Sequence, residues 1–352
     1  MNQPLLLHVV ERLETLIGKL PAAIQKPILS ELTPLKELFL QQRPPRLLFI
    51  GPGKIPSAPE FAAVSKAHVW QDLHFTDGGT MSIFDTRGAD SRQIEEEIKR
   101  QPADVILFVD DESARGPRKA DIDQLLRCVE WNEQAGSNAK LFAITSNERA
   151  AKLHEQKLQL TNFDFGGDES VATQKLLSLL ARELPNEARI EMIRISRDKE
   201  AQHHVAQVLI KSTTAICTAV GTQPIPLADM PILTTLQLVM VSGIMYVSGR
   251  ERSLRAATEF VGALGVNVGA GMVFREGARA ILKFLPGWGN LISGAVAGAG
   301  TYAIGRAAEV FFIEGVSLKD ARRTYLKSRK KSPQPALPAP KPEKAGHKRR
   351  RK

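Results

Sequence analysis

A parallel α/β sheet unit followed by an all-helical unit is the architecture this 352-residue sequence predicts, and three observations carry it. Short apolar runs alternate with amphipathic helical patterns from Arg46 to Leu184, as expected of parallel strands joined by helical crossovers. Near Pro185 to Ile195 the composition shifts to Gly, Ala, Val, Ile and Met with few charges. The positive charge is gathered at one end: Lys319 to Lys352 hold 14 Lys or Arg against Asp320 and Glu343, whereas the remainder carries 34 basic and 36 acidic residues. The net charge of +10 therefore belongs to a tail on a neutral body.

In residues 1–43, Leu5, Leu6, Val9, Val10, Leu13, Leu16 and Ile17 recur at helical spacing with Glu11, Arg12 and Glu14 between them. This predicts an amphipathic helix rather than a signal peptide, and a second helix from about Ile24 to Gln41 after Pro21. Both are expected to pack on the sheet unit or on a partner helix. The sheet unit spans 44–188. Leu47 to Ile50 read as a buried strand delivering the chain into Gly51-Pro52-Gly53-Lys54. Val69 to Asp77 read as a hairpin strand turning at Gly78-Gly79, and Thr80 to Phe84 as a strand running into Asp85-Thr86-Arg87-Gly88. A helix over Ser91 to Arg100 leads to a strand over Asp104 to Val109, then to Asp110 and Asp111. Asp121 to Glu133 form the next helix, with Ile122, Leu125, Leu126 and Val129 on one face, and Lys140 to Thr145 the next strand, ending in Thr145-Ser146-Asn147-Glu148. Ligands bind doubly wound sheets beyond the carboxyl ends of the strands, which is where all three tetrapeptides fall.

The first of these starts like a phosphate-binding loop and departs from it. The standard loop, GxxxxGK[ST], places its lysine six residues after the first glycine and a hydroxyl directly after the lysine. Here Lys54 follows Gly51 by three residues, and Ile55 stands where the hydroxyl belongs. Pro52, Pro56 and Pro59 have no N–H for a phosphate cradle, and a bound Mg²⁺ would lack its hydroxyl ligand. With these boxes the segment from Arg46 to Leu184 resembles a translation-factor-type GTPase domain of the Era-like kind, a Ras-like P-loop sheet in degenerate form. The resemblance implies that Gly51, Gly53 and Lys54 form the first box, Asp85 and Gly88 the Mg²⁺-sensing DxxG, and Thr145 and Glu148 the guanine-reading [NT]KxD. Arg87 replaces the proline usual in Era-like members, Ser146 the lysine that packs on the base, and Glu148 the aspartate that reads it. GTP and Mg²⁺ are the ligands the resemblance implies; the departures predict that neither is used, and no residue is assigned as catalytic. An ordinary tight turn at GPGK and a solvated turn at Asp85 are the plainer alternatives.

The helical unit spans 189–328. Four runs in it lack any charge: Ser212 to Ala228, Met230 to Gly249, Phe260 to Phe274 and Phe284 to Gly305. A spanning helix needs about 20 apolar residues, so the second and fourth reach that length. Pro224, Pro226 and Pro231 make a helical-hairpin corner, while Gly294, Ala295, Gly298 and Ala299 place small residues at spacing four, permitting close helix approach or self-association. Compact core helices and a membrane-inserting pair of hairpins both fit; the second is the expectation. QPIPLAD (Gln223 to Asp229), FLPGWGNLISG (Phe284 to Gly294) and TYAIGRAAEVFF (Thr301 to Phe312) resemble the uncharacterised YcjF-like unit found after Era-like G domains in bacteria, which implies inner-membrane association and no enzymatic chemistry here.

Residues 329–352 are expected to be a disordered, Pro-rich basic tail, drawn to anionic lipid on the cytoplasmic side. No aromatics interleave with its charges, so nucleic acid is not the expected partner. Cys128 and Cys217 stand apart, and His203-His204 lack partners at ligand spacing, so no metal site is predicted. The sequence thus predicts a pseudo-GTPase adaptor or regulator at the cytoplasmic face of the inner membrane. Its rivals are a working GTPase with an atypical loop and a soluble module tethered to nucleic acid.

Overall fold

The computed structural model describes residues 22–39, 41–54, 61, 64, 68–75, 79–110, 118–145, 160–163, 168–221, 229–264 and 289–331. The helix read at 5–17 and the residues Ser146 to Glu148 lie outside them. A helix, α1 (Ala22–Phe39), precedes the sheet strands β1 (Arg46–Ile50), β2 (Gln71–His74), β3 (Thr80–Asp85), β4 (Val105–Val109), β5 (Lys140–Ile144) and β6 (Thr161–Phe163). Their order is β2-β3-β1-β4-β5-β6, with β2 antiparallel to β3 and the other neighbours parallel. From β1 the chain moves outward to β3 and then crosses back to β4, so the carboxyl end of β1 lies where the winding reverses.

The central strands are apolar on both faces, as a sheet covered on both sides requires. Leu47, Phe49, Met81, Ile83, Val105 and Leu107 face one core. Leu48, Ile50, Phe84, Ile106 and Phe108 face the other, where α2 (Ser91–Arg100) buries Ile94 and Ile98 and α3 (Lys119–Gln134) buries Leu125 and Cys128. At the amino edge the buried Asp104 accepts both terminal nitrogens of Arg43 at 2.6 Å and the Arg46 N–H at 3.0 Å, fixing where the chain enters β1.

After β6 come α4 (Glu169–Glu183), α5 (Asn186–Ser196), α6 (Lys199–Gly221), α7 (Asp229–Val247), α8 (Leu254–Ala263), α9 (Gly289–Phe312) and α10 (Leu318–Lys331). The architecture is mixed α/β and then helical. The first core does not stop at the composition change: it runs from the sheet through Leu176, Leu180, Ile190 and Ile193 to Val205, Ile210, Ile244 and Ala307. α1 packs back onto α5 and α6, with Leu32 among Ile216, Cys217 and Val220.

Helix α9 lies against α6. A Cβ at Gly305 would come within 2.6 Å of Ile210 Cγ1, and one at Gly298 would overlap the Thr218 hydroxyl, so small residues here allow the close approach their spacing suggested. Glu309, 1% exposed, pairs with Arg306 and lies 2.9 Å from His203 Nδ1, a role for His203 that its sequence neighbours do not reveal.

The described residues do not display the membrane-inserting hairpins expected from the charge-free runs, whose corners at 222–228 and 265–288 lie outside them. Among the described residues no helix is long and apolar enough to cross a membrane. The charge-free run that forms α7 is packed among α5, α6, α8 and α9, burying Met240, Val241, Ile244 and Val247, while Gln237 Nε2 donates to Thr301 Oγ1 on α9 at 2.9 Å. A helix enclosed in this way by its neighbours can be apolar all round.

Candidate functional site

Three of the sequence-read positions come together at the carboxyl edge of the sheet. Gly51 follows β1, Asp85 ends β3 and Thr145 follows β5, with Asp110 after β4 between them. Gly51 has φ of +111°, a conformation glycine adopts without strain, and a Cβ there would strike the Val109 carbonyl oxygen. Gly53 is buried and would clash in the same way with the Asp110 carbonyl, while its own N–H donates to Val109 O at 3.0 Å. The loop is thus folded down onto the end of β4. Lys54 is exposed.

Asp85 is 2% exposed, and both of its oxygens are taken by one side chain. Arg87 Nε donates to Oδ1 at 2.8 Å and Nη2 to Oδ2 at 2.7 Å, a bidentate fork, and the Arg87 backbone N–H adds a third bond to Oδ1 at 3.1 Å. The remaining terminal nitrogen, Nη1, donates to Gly53 O at 2.5 Å. One guanidinium therefore joins the two boxes, carboxylate on one side and loop carbonyl on the other. Gly88 closes this turn at φ of +84°, and Thr86 pins it to β1 through its N–H and hydroxyl, both donating to Phe49 O at 3.0 and 2.9 Å.

The residues present do not fit the Mg²⁺-nucleotide that the resemblance implies. Pro52 has no N–H and the Gly53 N–H is directed into the sheet, so the described part of the loop, Gly51 to Lys54, offers no run of inward donors of the kind a β-phosphate needs. Asp85 already faces a fixed cation. Among the described residues no group of His, Cys, Asp and Glu could hold a metal. At the base-reading corner Thr145 is buried and its hydroxyl donates to Asp110 Oδ2 at 3.4 Å. Glu148 lies outside the described residues.

A second polar cluster, which the sequence reading missed, joins the sheet to the helices. Glu191 on α5, 7% exposed, accepts the Thr80 N–H at 3.0 Å, the Tyr246 hydroxyl at 2.7 Å and the Gln42 amide. The Tyr246 ring lies between two guanidiniums, Arg194 at 3.9 Å and Arg252 at 4.1 Å from its centroid. Burial, followed by the Glu191 carboxylate, pushes the Tyr246 hydroxyl up, which keeps it a donor. Charged residues within an apolar helical pattern are the one signal that could have pointed here; their partners lie up to 210 residues away in sequence.

No family model matches the chain. It is similar to Magnetosome membrane protein 22 of Magnetospirillum gryphiswaldense, with 28% identity over 141 residues, or 37% of this chain and 71% of that protein.

Proposed function

We propose that this chain is a membrane-associated pseudo-GTPase of Era-like ancestry, serving as an adaptor or regulator at the cytoplasmic face of the inner membrane. The observation that carries the reading is the Arg87 fork. In a working site the DxxG aspartate serves a metal ion and the loop amides serve phosphate; here a guanidinium fills the cation's role from within, and the loop has turned its amide inward. Phosphoryl transfer depends on positioning and on cations at the transferred group, and the described residues of the two boxes are engaged with one another instead. The order of the degenerate boxes along one sheet edge supports the G-domain ancestry, and the name of the Magnetospirillum protein supports a membrane setting.

The test is calorimetry of Mg²⁺-GTP against the full chain, since one core runs through sheet and helices and the sheet unit is not separable from it. No binding at micromolar nucleotide and no hydrolysis above background is the expected result. Tight GTP binding that disappears in Lys54→Ala would overturn it.

A further inference from the structure

We infer that the exposed face of α10 is a landing surface for anionic lipid headgroups, an inference that rests on reading the protein as one that works at a membrane. The sequence gathers the positive charge between Lys319 and Lys352 and expects residues 329–352 to be disordered, whereas the last helix runs on to Lys331. Half of that excess is mounted on a formed helix: α10 carries seven Lys or Arg against Asp320 alone.

The helix is well anchored. Ala321 and Tyr325 are buried beneath it, on the side that packs along α9. At its start Ser317 Oγ accepts the Asp320 N–H at 3.2 Å and donates to Asp320 Oδ2 at 2.7 Å, a reciprocal cap. With α-helical spacing of about 100° per residue, Lys319, Arg322, Arg323 and Leu326 occupy one sector of about 100° opposite the buried pair. All four are exposed, and Lys327 flanks them. Among the described residues Asp320 pairs with Arg323 at 3.2 Å, with both side chains more than half exposed, and one carboxylate against seven cations leaves most of the field uncompensated.

The chemistry of this face selects its occupant. A phosphate-rich polymer would satisfy the cations, but Leu326, 48% exposed in their midst, would remain in water. The helix's aromatic, Tyr325, is buried and cannot stack on a base. A bilayer interface meets both needs, with lipid phosphates for the Lys and Arg heads and the acyl boundary for the leucine and the cationic side-chain stems. The helix leads directly into residues 332–352, which add seven further basic residues against Glu343, so tail and helix would address the same leaflet.

Flotation of the full-length protein with phosphatidylcholine vesicles, with and without phosphatidylserine, tests this, with short duplex RNA as competitor. Wild type is expected to float with the anionic vesicles only. Arg322→Glu/Arg323→Glu should bind them at least about tenfold more weakly, and Leu326→Ser about threefold, at unchanged melting temperature. Neutralising Lys348, Arg349, Arg350 and Arg351 with Gln should cost less than the helix reversal. The inference falls if the helix variants float like wild type while the tail variant does not, or if they lose RNA binding with vesicle binding intact. Wild type that floats with neither vesicle overturns the membrane reading itself.

Discussion

Replacing Arg87 by Ala is expected to destabilise the protein by about 3 kcal/mol. The substitution deletes two charge-assisted bonds, of 2.8 and 2.7 Å, from a carboxylate that is 2% exposed. Removing one partner from a buried ion pair costs about 3–5 kcal/mol because the other charge is left uncompensated. The Arg87 backbone N–H still reaches Asp85 at 3.1 Å and the arginine side chain is 23% exposed, which places the cost at the lower end. At about 2 °C per kcal/mol for a chain of this size, the melting temperature should fall by about 6 °C. Differential scanning calorimetry reads this directly. Asp85→Asn added to Arg87→Ala should recover part of the loss, since the stranded charge is then gone. A fall under about 2 °C, or a double variant no more stable than the single one, would show that the guanidinium does not hold this edge together.

Gly305→Leu should cost about 3 kcal/mol or more by forcing α9 away from Ile210 and Met240, whereas Gly262→Leu, where a Cβ meets nothing within 4 Å, should leave melting nearly unchanged. Burial pushes the Cys128 thiol up to about 12 and the Cys217 thiol up to about 11. Raised folded values mean that the thiols' contribution is intact below their ordinary range near 9 and is lost as pH climbs toward 11 and 12. Stability should thus fall more steeply above pH 9 in wild type than in Cys128→Ala/Cys217→Ala, and a thiol reagent at pH 8 should label neither cysteine until denaturant is added.

The sheet was legible in the sequence because its signals are local. Runs such as Leu47 to Ile50 and Val105 to Val109 are apolar at every position, which only a strand buried on both faces requires, and Ser91 to Arg100 matches its helix end to end. The three edge positions Gly51, Asp85 and Thr145 followed from where those strands end. What was hidden depends on distance or on a turn. Arg87 was noticed for replacing a proline, but its hold on both Asp85 and Gly53 comes from the fold of Thr86 onto Phe49. The short β6 has no pattern long enough to read, and the Glu191–Tyr246 cluster draws on segments from four parts of the chain. The charge-free helices were ambiguous for a physical reason: a helix enclosed by protein and one enclosed by lipid both lose their polar face.

The return of α1 onto α6 governs the order in which the molecule can be made. Glu31 meets Ser212 across 181 residues, and Leu32 is covered by Ile216, Cys217 and Val220. At a synthesis rate of about 5–20 residues per second, the apolar stripe of α1 waits about 10–40 s on the ribosome before its cover exists. During that interval the nascent chain presents an uncovered apolar helix, open to chaperones and to neighbouring polypeptides. Loss of protein from sluggish translation across 40–220 should therefore appear as aggregation of incomplete chains, independent of how stable the finished fold is.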